Sequence, residues 1–118
     1  MNQVQMIALL NTLSFPSVYD HALPGQKLPF LAIHTEQLNN FAADDTVFYE
    51  KWQFRIDLYT VKKELALERE IKDLLAANDI VWTKSELYID DQSCWEVEFE
   101  FTILGNEDPS EEGDEDGS

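Results

Sequence analysis

The chain has 118 residues, with 24 acidic side chains against 8 basic ones and a net charge of −16. This excess of negative charge excludes a protein that binds nucleic acid mainly through contacts of Lys and Arg with phosphate groups. The hydrophobic fraction of 44% is enough for one domain core, and no apolar run approaches the roughly 18 residues of a membrane span.

The first residues lack the basic and apolar regions of a signal peptide, and Cys94 is the single cysteine. We therefore expect a soluble, cytosolic chain with no disulfide.

The acidic residues are unevenly distributed along the sequence. Residues 105–118 hold seven acids, no base and no large apolar side chain. Such a segment buries too little surface to offset the entropy of ordering it, so we predict a disordered tail. Residues 1–104 are predicted to form a single domain, in which 17 acids face 8 bases for a net charge of −9.

The first half of the chain is predicted to contain one helix and two strands. Apolar residues recur near helical spacing over 2–13, and Pro16 disfavours helical geometry in the residue before it. A connector follows over 16–29, in which Val18-Tyr19 is a candidate edge strand. A buried strand over 30–34, a polar loop over 36–48 and a long strand over 47–59 complete this half.

In the second half, Thr60 is predicted to cap a helix over 61–77. The stripe on that helix faces the sheet and consists of Leu67, Ile71, Leu74 and Leu75. A short turn or strand over 80–83 and a strand over 86–90 come next, with Leu87 and Ile89 facing inward. A turn over 90–93 then leads into a long strand over 95–103.

The two long strands carry the clearest pattern in the sequence. Apolar residues occupy the even positions over 51–59 and the odd positions over 95–103. Because successive side chains of a strand point to opposite faces, each strand has one apolar and one polar face. We predict an α+β fold in the order α-β-β-α-β-β. Its mostly antiparallel sheet has about four strands, with one helix packed on the apolar face and a second helix at the N-terminus.

The polar face of this sheet carries a row of like charges, Glu96, Glu98 and Glu100. Carboxylates two residues apart on one strand repel each other, so the row requires solvent or basic partners on the next strand. Lys51 and Arg55 on the other long strand are the candidate partners. An acid–base pair is disfavoured because no further carboxylate is seen to join the row.

Metal sites are not predicted. His34 and Glu36 share a strand face and offer two ligands, but further ligands are not visible. The pairs Asp44-Asp45 and Asp90-Asp91 lack the spacing of a calcium loop and are predicted to lie in turns. With no Gly-rich phosphate loop, Cys-x-x-Cys pair or Ser/His/Asp arrangement, we expect no cofactor and no enzyme activity.

The interface residues predicted from the sequence lie in the polar loop and at a tryptophan. Loops as long as 36–48 are often functional. Trp52 and Trp95 continue apolar stripes and are predicted to belong to the core, whereas Trp82 is less constrained. The predicted interface residues are Asn39, Phe41, Asp44, Asp45 and Trp82.

Residues 18–33, which read VYDHALPGQKLPFLAI, resemble a segment of the tail terminator and tail-completion (tail-to-head joining) proteins of long-tailed bacteriophages. That segment has the form V-Y-D, then P, then P-[FY]-hydrophobic. The order of elements over residues 3–104 is also similar: a small helix, this segment, a polar loop, a long strand, a helix and a final hairpin. The acidic tail lies outside the similarity.

This resemblance implies a structural virion protein at the head-proximal end of the tail, assembled in the cytoplasm of the host bacterium. Such proteins form a homo-oligomeric ring, typically a hexamer, on the tail tube protein. The ring stops polymerisation of the tube and offers a surface to head-completion (connector) proteins. DNA passes through the ring without specific binding, and no membrane is involved.

Two other interpretations of the function of this sequence remain open. A neighbouring head–tail connector protein, a stopper or adaptor, has a similar sequence character. An acidic inhibitor that mimics DNA would also explain the charge, with the glutamate row imitating phosphates, although seven of the acids lie in the predicted tail.

Overall fold

The computed structural model describes residues 1–20, 25–38, 41–43 and 47–106. Within these residues, two helices and six strands follow one another in the order α1 (Gln3–Leu10), β1 (Ser17–Tyr19), β2 (Phe30–Gln37), β3 (Phe41–Ala43), β4 (Val47–Thr60), α2 (Leu65–Ala77), β5 (Trp82–Ile89) and β6 (Cys94–Asn106). A 3-10 turn, Asp90–Gln92, joins β5 to β6. Neither of these helices is long and apolar enough to cross a membrane.

The strands form one sheet in the order β1-β2-β4-β6-β5, and β3 pairs with β4 beside this path. Among the strand pairs of the described residues, β1–β2 is parallel and the others are antiparallel. The prediction of an α+β fold with a mostly antiparallel sheet is confirmed. The predicted order and the number of about four strands differ from the structure, because β1 and β3 add two short strands to the sheet.

The register of the two long strands places the apolar residues of both on one face. Leu58 lies opposite Val97, Ile56 opposite Phe99, and Phe54 opposite Phe101. The rings of Phe54 and Phe101 stack with their centroids 5.3 Å apart. Both helices contribute to the same core, through Met6 and Leu10 from α1 and Ile71 and Leu75 from α2.

The first helix is shorter than predicted. Asn2 caps it by accepting a hydrogen bond from the Gln5 backbone N–H, and the Gln5 side chain accepts one from the Asn2 N–H in return. The helix ends at Leu10, with Asn11 at its C-terminus, rather than near residue 13.

The predicted cap of the second helix was wrong. Thr60 is the last residue of β4, is buried, and lies opposite Trp95 of β6. The helix begins at Leu65, and Glu64 at its start makes no side-chain cap. The alternation of the long strand therefore continues through Thr60, and strand pairing takes precedence over the local capping preference.

Glu68 of α2 is a buried acid, with 1% of its side chain exposed. Its carboxylate accepts hydrogen bonds from Lys63 Nζ at 2.8 Å and from Lys84 Nζ of β5 at 2.9 Å. Lys63 also binds Glu86. Burial acts to raise the pKa of Glu68, but the two lysines outweigh it and lower the pKa below its ordinary value.

The ion pairs of this cluster show that the face of β5 predicted to point inward is the wrong one. Residues 82–89 form one continuous strand, in which Lys84 and Glu86 lie opposite Phe99 and Val97. Leu87 is 59% exposed and lies opposite Glu96 on the other face. The sequence pattern favours the apolar residues of this short edge strand as core residues, whereas Lys84 in fact reaches Glu68 of α2.

Strand boundaries around the predicted polar loop also differ from the prediction. β2 extends to Gln37, β3 occupies Phe41–Ala43, and β4 begins at Val47. The last strand continues to Asn106, beyond the predicted strand end at 103 and the predicted domain end at 104. Gly105 lies so close to Met1 that an added Cβ would be 2.3 Å from the Met1 carbonyl oxygen. The predicted tail from residue 107 onward lies outside the described residues.

The Glu68 cluster predicts a specific loss of stability. Glu68→Gln removes the buried negative charge that both lysines contact and should lower the free energy of unfolding by about 2 kcal/mol at pH 7. Chemical denaturation measures this loss, with Asp73→Asn, an exposed acid on the same helix, as the control.

Because the Glu68 pKa is lowered in the fold, its stabilisation is present above its ordinary value of 4.5 and disappears as the pH falls through the folded-state pKa. The difference between wild type and Glu68→Gln should therefore shrink in strong acid. An equal effect of Asp73→Asn would contradict this role for Glu68.

Candidate functional site

The face of the sheet that α1 and α2 leave open carries most of the charged strand residues. Three cross-strand rows define it: His34–Arg55–Glu100, Ala32–Asp57–Glu98 and Phe30–Tyr59–Glu96, each running from β2 through β4 to β6. Alternation along the strands places these residues together, opposite the core. We refer to the surface formed by these nine residues as the open face.

Asp57 lies at the centre of the open face and has only 1% of its side chain exposed. One carboxylate oxygen, Oδ2, lies 3.3 Å from His34 Nε2 and 3.5 Å from Arg55 Nε. The other oxygen, Oδ1, is buried and has no hydrogen-bond partner among the described residues. A buried polar atom without a partner costs about 1–3 kcal/mol, so Asp57 is an unfavourable residue for stability alone.

The electrostatic environment of Asp57 is that of a crowded carboxylate. Burial is the main cause that raises its pKa, to about 7, against the lowering effect of Arg55, and Glu96 and Glu98 raise it further. Burial, followed by the charge of Asp57, also raises the pKa of Tyr59. Burial and Glu100 raise the pKa of Glu98. The open face thus holds more negative charge than its cations neutralise.

Three of these carboxylates converge. One oxygen each from Asp57, Glu96 and Glu98 lies within 4.8 Å of the other two. The Tyr59 hydroxyl donates a hydrogen bond of 3.1 Å to Glu96 Oε2 and so helps to orient it. We refer to Asp57, Glu96 and Glu98 as the carboxylate cluster.

A groove of about 550 Å³ runs along the open face beside the carboxylate cluster. Gly25, Gln26 and Leu28 form one wall, and Asp57 and Glu96 are among the residues of the sheet that line it. The ring of Phe30 stacks on Tyr59 at 5.0 Å between centroids and supports the floor of this groove.

The structure brings some of the predicted polar-face residues together and separates others. Arg55 lies opposite Glu100 and contacts Asp57, whereas Lys51 lies opposite Leu104 at the far end of the face. His34 reaches Asp57, while Glu36 is exposed and lies opposite Gln53. Neither His34 nor Glu36 is one of the three acids of the carboxylate cluster.

The predicted interface residues are only partly described. Asn39, Asp44 and Asp45 lie outside the described residues, and Phe41 is placed in β3 by its backbone. Trp82 is half-buried, packs edge-on against Phe99 at 5.3 Å and has Lys72 Nζ 5.9 Å from its ring centroid. Trp82 also lines a second cavity, of about 660 Å³, together with Val81 and Leu104.

Asp57 is the residue that the sequence analysis missed. It occupies a polar position in the alternating pattern and looks like any solvated strand acid. The available signal is its register: once β4 is paired with β6, Asp57 stands directly opposite Glu98 and one row from Glu96. Two acids facing each other across a strand pair are unfavourable without a further partner.

Comparison with known proteins found little. No protein-family model matches the chain, and the search of curated proteins found no significant match. Among solved structures, the chain is similar to a protein of the virion of a native gene transfer agent (GTA) particle. The TM-score is 0.45 and the identity 14%, over 89% of this chain and 87% of the other. We draw no functional conclusion from a similarity at this level.

The raised pKa of Asp57 predicts a pH-dependent stability. The unfolded chain ionises Asp57 near its ordinary value of 3.8, and the fold does so only near 7. Asp57 therefore destabilises the fold progressively as the pH rises between these values. In buffer that contains EDTA, Asp57→Asn should raise the free energy of unfolding. This increase should be larger at pH 8 than at pH 4, by on the order of 2–4 kcal/mol.

Denaturant titrations at a series of pH values measure this effect, and the exposed Glu36→Gln on β2 serves as the control. His34, Arg55, Glu96 and Glu98 surround Asp57 and are left unchanged in both variants. A stabilisation that does not vary with pH would contradict the assignment.

Proposed function

We propose that this chain is a structural virion protein of a phage-like particle. In this role it forms a ring at the head-proximal end of the tail tube, ends polymerisation of the tube, and joins the tail to the head. The observation that carries the proposal is the resemblance of residues 18–33 and of the order of elements to tail terminator proteins. Location in the virion, with assembly in the host cytoplasm, follows from the same proposal.

The geometry of the sheet supports a ring-forming subunit. β5 is an edge strand, so one side of its backbone is available to pair with another chain. Exposed apolar side chains lie on it or just before it, namely Val81, Leu87 and Tyr88. When one such surface contacts a different surface of the next copy and the rotation closes, the result is a ring.

The distribution of charge supports passage of DNA rather than binding of DNA. Glu96, Glu98 and Glu100 project from β6 on the open face, and a lumen lined by such residues would repel the phosphate backbone. A connector protein of the same particle is the neighbouring alternative, and capping of tubes separates the two. A rigid DNA mimic is less well supported, because Arg55 contacts Asp57 in the acidic face and the pKa of Glu98 is raised.

The edge strand generates a direct test of ring formation. Leu87→Lys places a solvated charge on the exposed edge and should shift the population from rings to monomers in native mass spectra by tenfold or more, on the order of 1.4 kcal/mol for each contact. Val61→Lys is the matched control, since Val61 is 66% exposed but lies off the edge strand.

Equal ring populations in the two variants would contradict a role for β5 in the interface. A wild-type chain that stays monomeric and does not cap isolated tail tubes in negative-stain images would contradict the proposed function itself.

The acidic segment after β6 is not needed for this role. Removal of residues 107–118 keeps all of β6, which ends at Asn106, and should leave both the ring and tube capping largely unchanged. Loss of capping with an intact ring would assign a partner-binding function to these residues instead.

A further inference from the structure

The carboxylate cluster does not contribute to the core, and closure of the proposed ring through β5 does not require it. Three oxygens that repel one another are held together on adjacent strands, at the edge of a groove that is open to solvent. We propose that Asp57, Glu96 and Glu98 bind one hard divalent cation of the Mg²⁺, Ca²⁺ and Mn²⁺ class.

The donor set fits such a cation. All three ligands are carboxylates, and hard divalent cations prefer oxygen ligands, with water filling the remaining positions. Asp57 and Glu98 are direct cross-strand partners, and Glu96 lies two residues from Glu98 on the same face. Oxygens already within 4.8 Å of one another need only small rotations of the two glutamate side chains to share one ion.

A second observation, independent of the clustering, points to a ligand. Asp57 is 99% buried, as its 1% exposure shows, and its Oδ1 has no hydrogen-bond donor among the described residues. Water therefore does not solvate this oxygen as it would solvate a surface acid, and the cost of burying it remains uncompensated. A cation bound beside Asp57 would supply the missing partner.

The surrounding residues hold the ligands in place. His34 and Arg55 contact Asp57 through Oδ2, which leaves Oδ1 for another partner. Tyr59 donates a hydrogen bond to Glu96 Oε2 and so helps to hold this side chain in place. Contacts of this kind, from residues that are not ligands themselves, commonly orient the ligands of a metal site. The sequence alone does not predict this site, and neither His34 nor Glu36 belongs to its three ligands.

The test is a titration of the full-length protein with CaCl₂, MgCl₂ and MnCl₂ after removal of metals by EDTA, followed by calorimetry at physiological ionic strength. We expect saturable binding of one ion per chain for at least one of the three cations. Asp57→Asn and Glu98→Gln should each weaken the affinity for the cation roughly tenfold or more, because loss of a residue that only orients a ligand already typically weakens metal affinity by about that much. Glu36→Gln should leave the affinity unchanged.

Residues 107–118 carry seven acids and are a competing location for cations. Paramagnetic broadening by Mn²⁺ in an amide NMR spectrum separates the two locations. Broadening centred on residues 57, 96 and 98 supports the proposal, whereas broadening confined to the acidic C-terminal residues overturns it.

Absence of saturable binding, or binding that Asp57→Asn and Glu98→Gln leave unchanged, also overturns the proposal. Glu98 is half-buried, so Glu98→Gln remains informative if Asp57→Asn alters folding. The outcome is independent of ring formation, because affinity and broadening are measured per chain in whichever oligomeric state the protein adopts.

Discussion

The antiparallel pairing of β4 with β6 sets the arrangement of both faces of the sheet. It runs from Tyr49 opposite Asn106 to Thr60 opposite Trp95. Because strand side chains alternate strictly, a shift of this register by one residue would exchange the core face with the open face. The pairing thus determines both which residues the helices cover and which carboxylates meet on the other side.

Two buried carboxylates, Glu68 and Asp57, differ in whether the fold compensates the unfavourable free energy of burying their charge. Glu68 accepts hydrogen bonds from two lysines, and the pKa of its carboxyl is lowered. Asp57 is equally inaccessible but has one oxygen without a partner, and its pKa is raised to about 7. The first carboxylate joins a helix to the sheet. The second is unfavourable for folding, which is typical of residues kept for binding or catalysis.

The long strands were predictable because each carries more than eight residues of unbroken alternation, a signal that short elements do not provide. The sequence pattern assigns the faces of β5 wrongly, since it predicts Leu87 and Ile89 in the core, whereas Lys84 of the same strand reaches Glu68 of α2. Thr60 has the composition of a helix cap but remains in its strand. Local preferences fail at these positions because tertiary pairing decides them.

The open face was foreseen only in part. The Glu96, Glu98 and Glu100 row follows directly from alternation, and Arg55 was named as a partner on the neighbouring strand. The position of Asp57 could not be singled out, because its burial depends on the register and on the residues from Gly25 to Leu28 beside the groove. Long-range pairing of this kind is not encoded in any short segment of the sequence.

We propose that the edge of the sheet joins identical subunits into a closed ring on a tail tube. A cryo-EM reconstruction of the purified protein mixed with isolated tail tubes would show whether this ring forms. We expect a ring at one end of the tube, with β5 at each boundary between subunits and Glu96, Glu98 and Glu100 facing the lumen. Tubes with bare ends beside free monomers, or a ring whose subunits join through the α2 face, would contradict it.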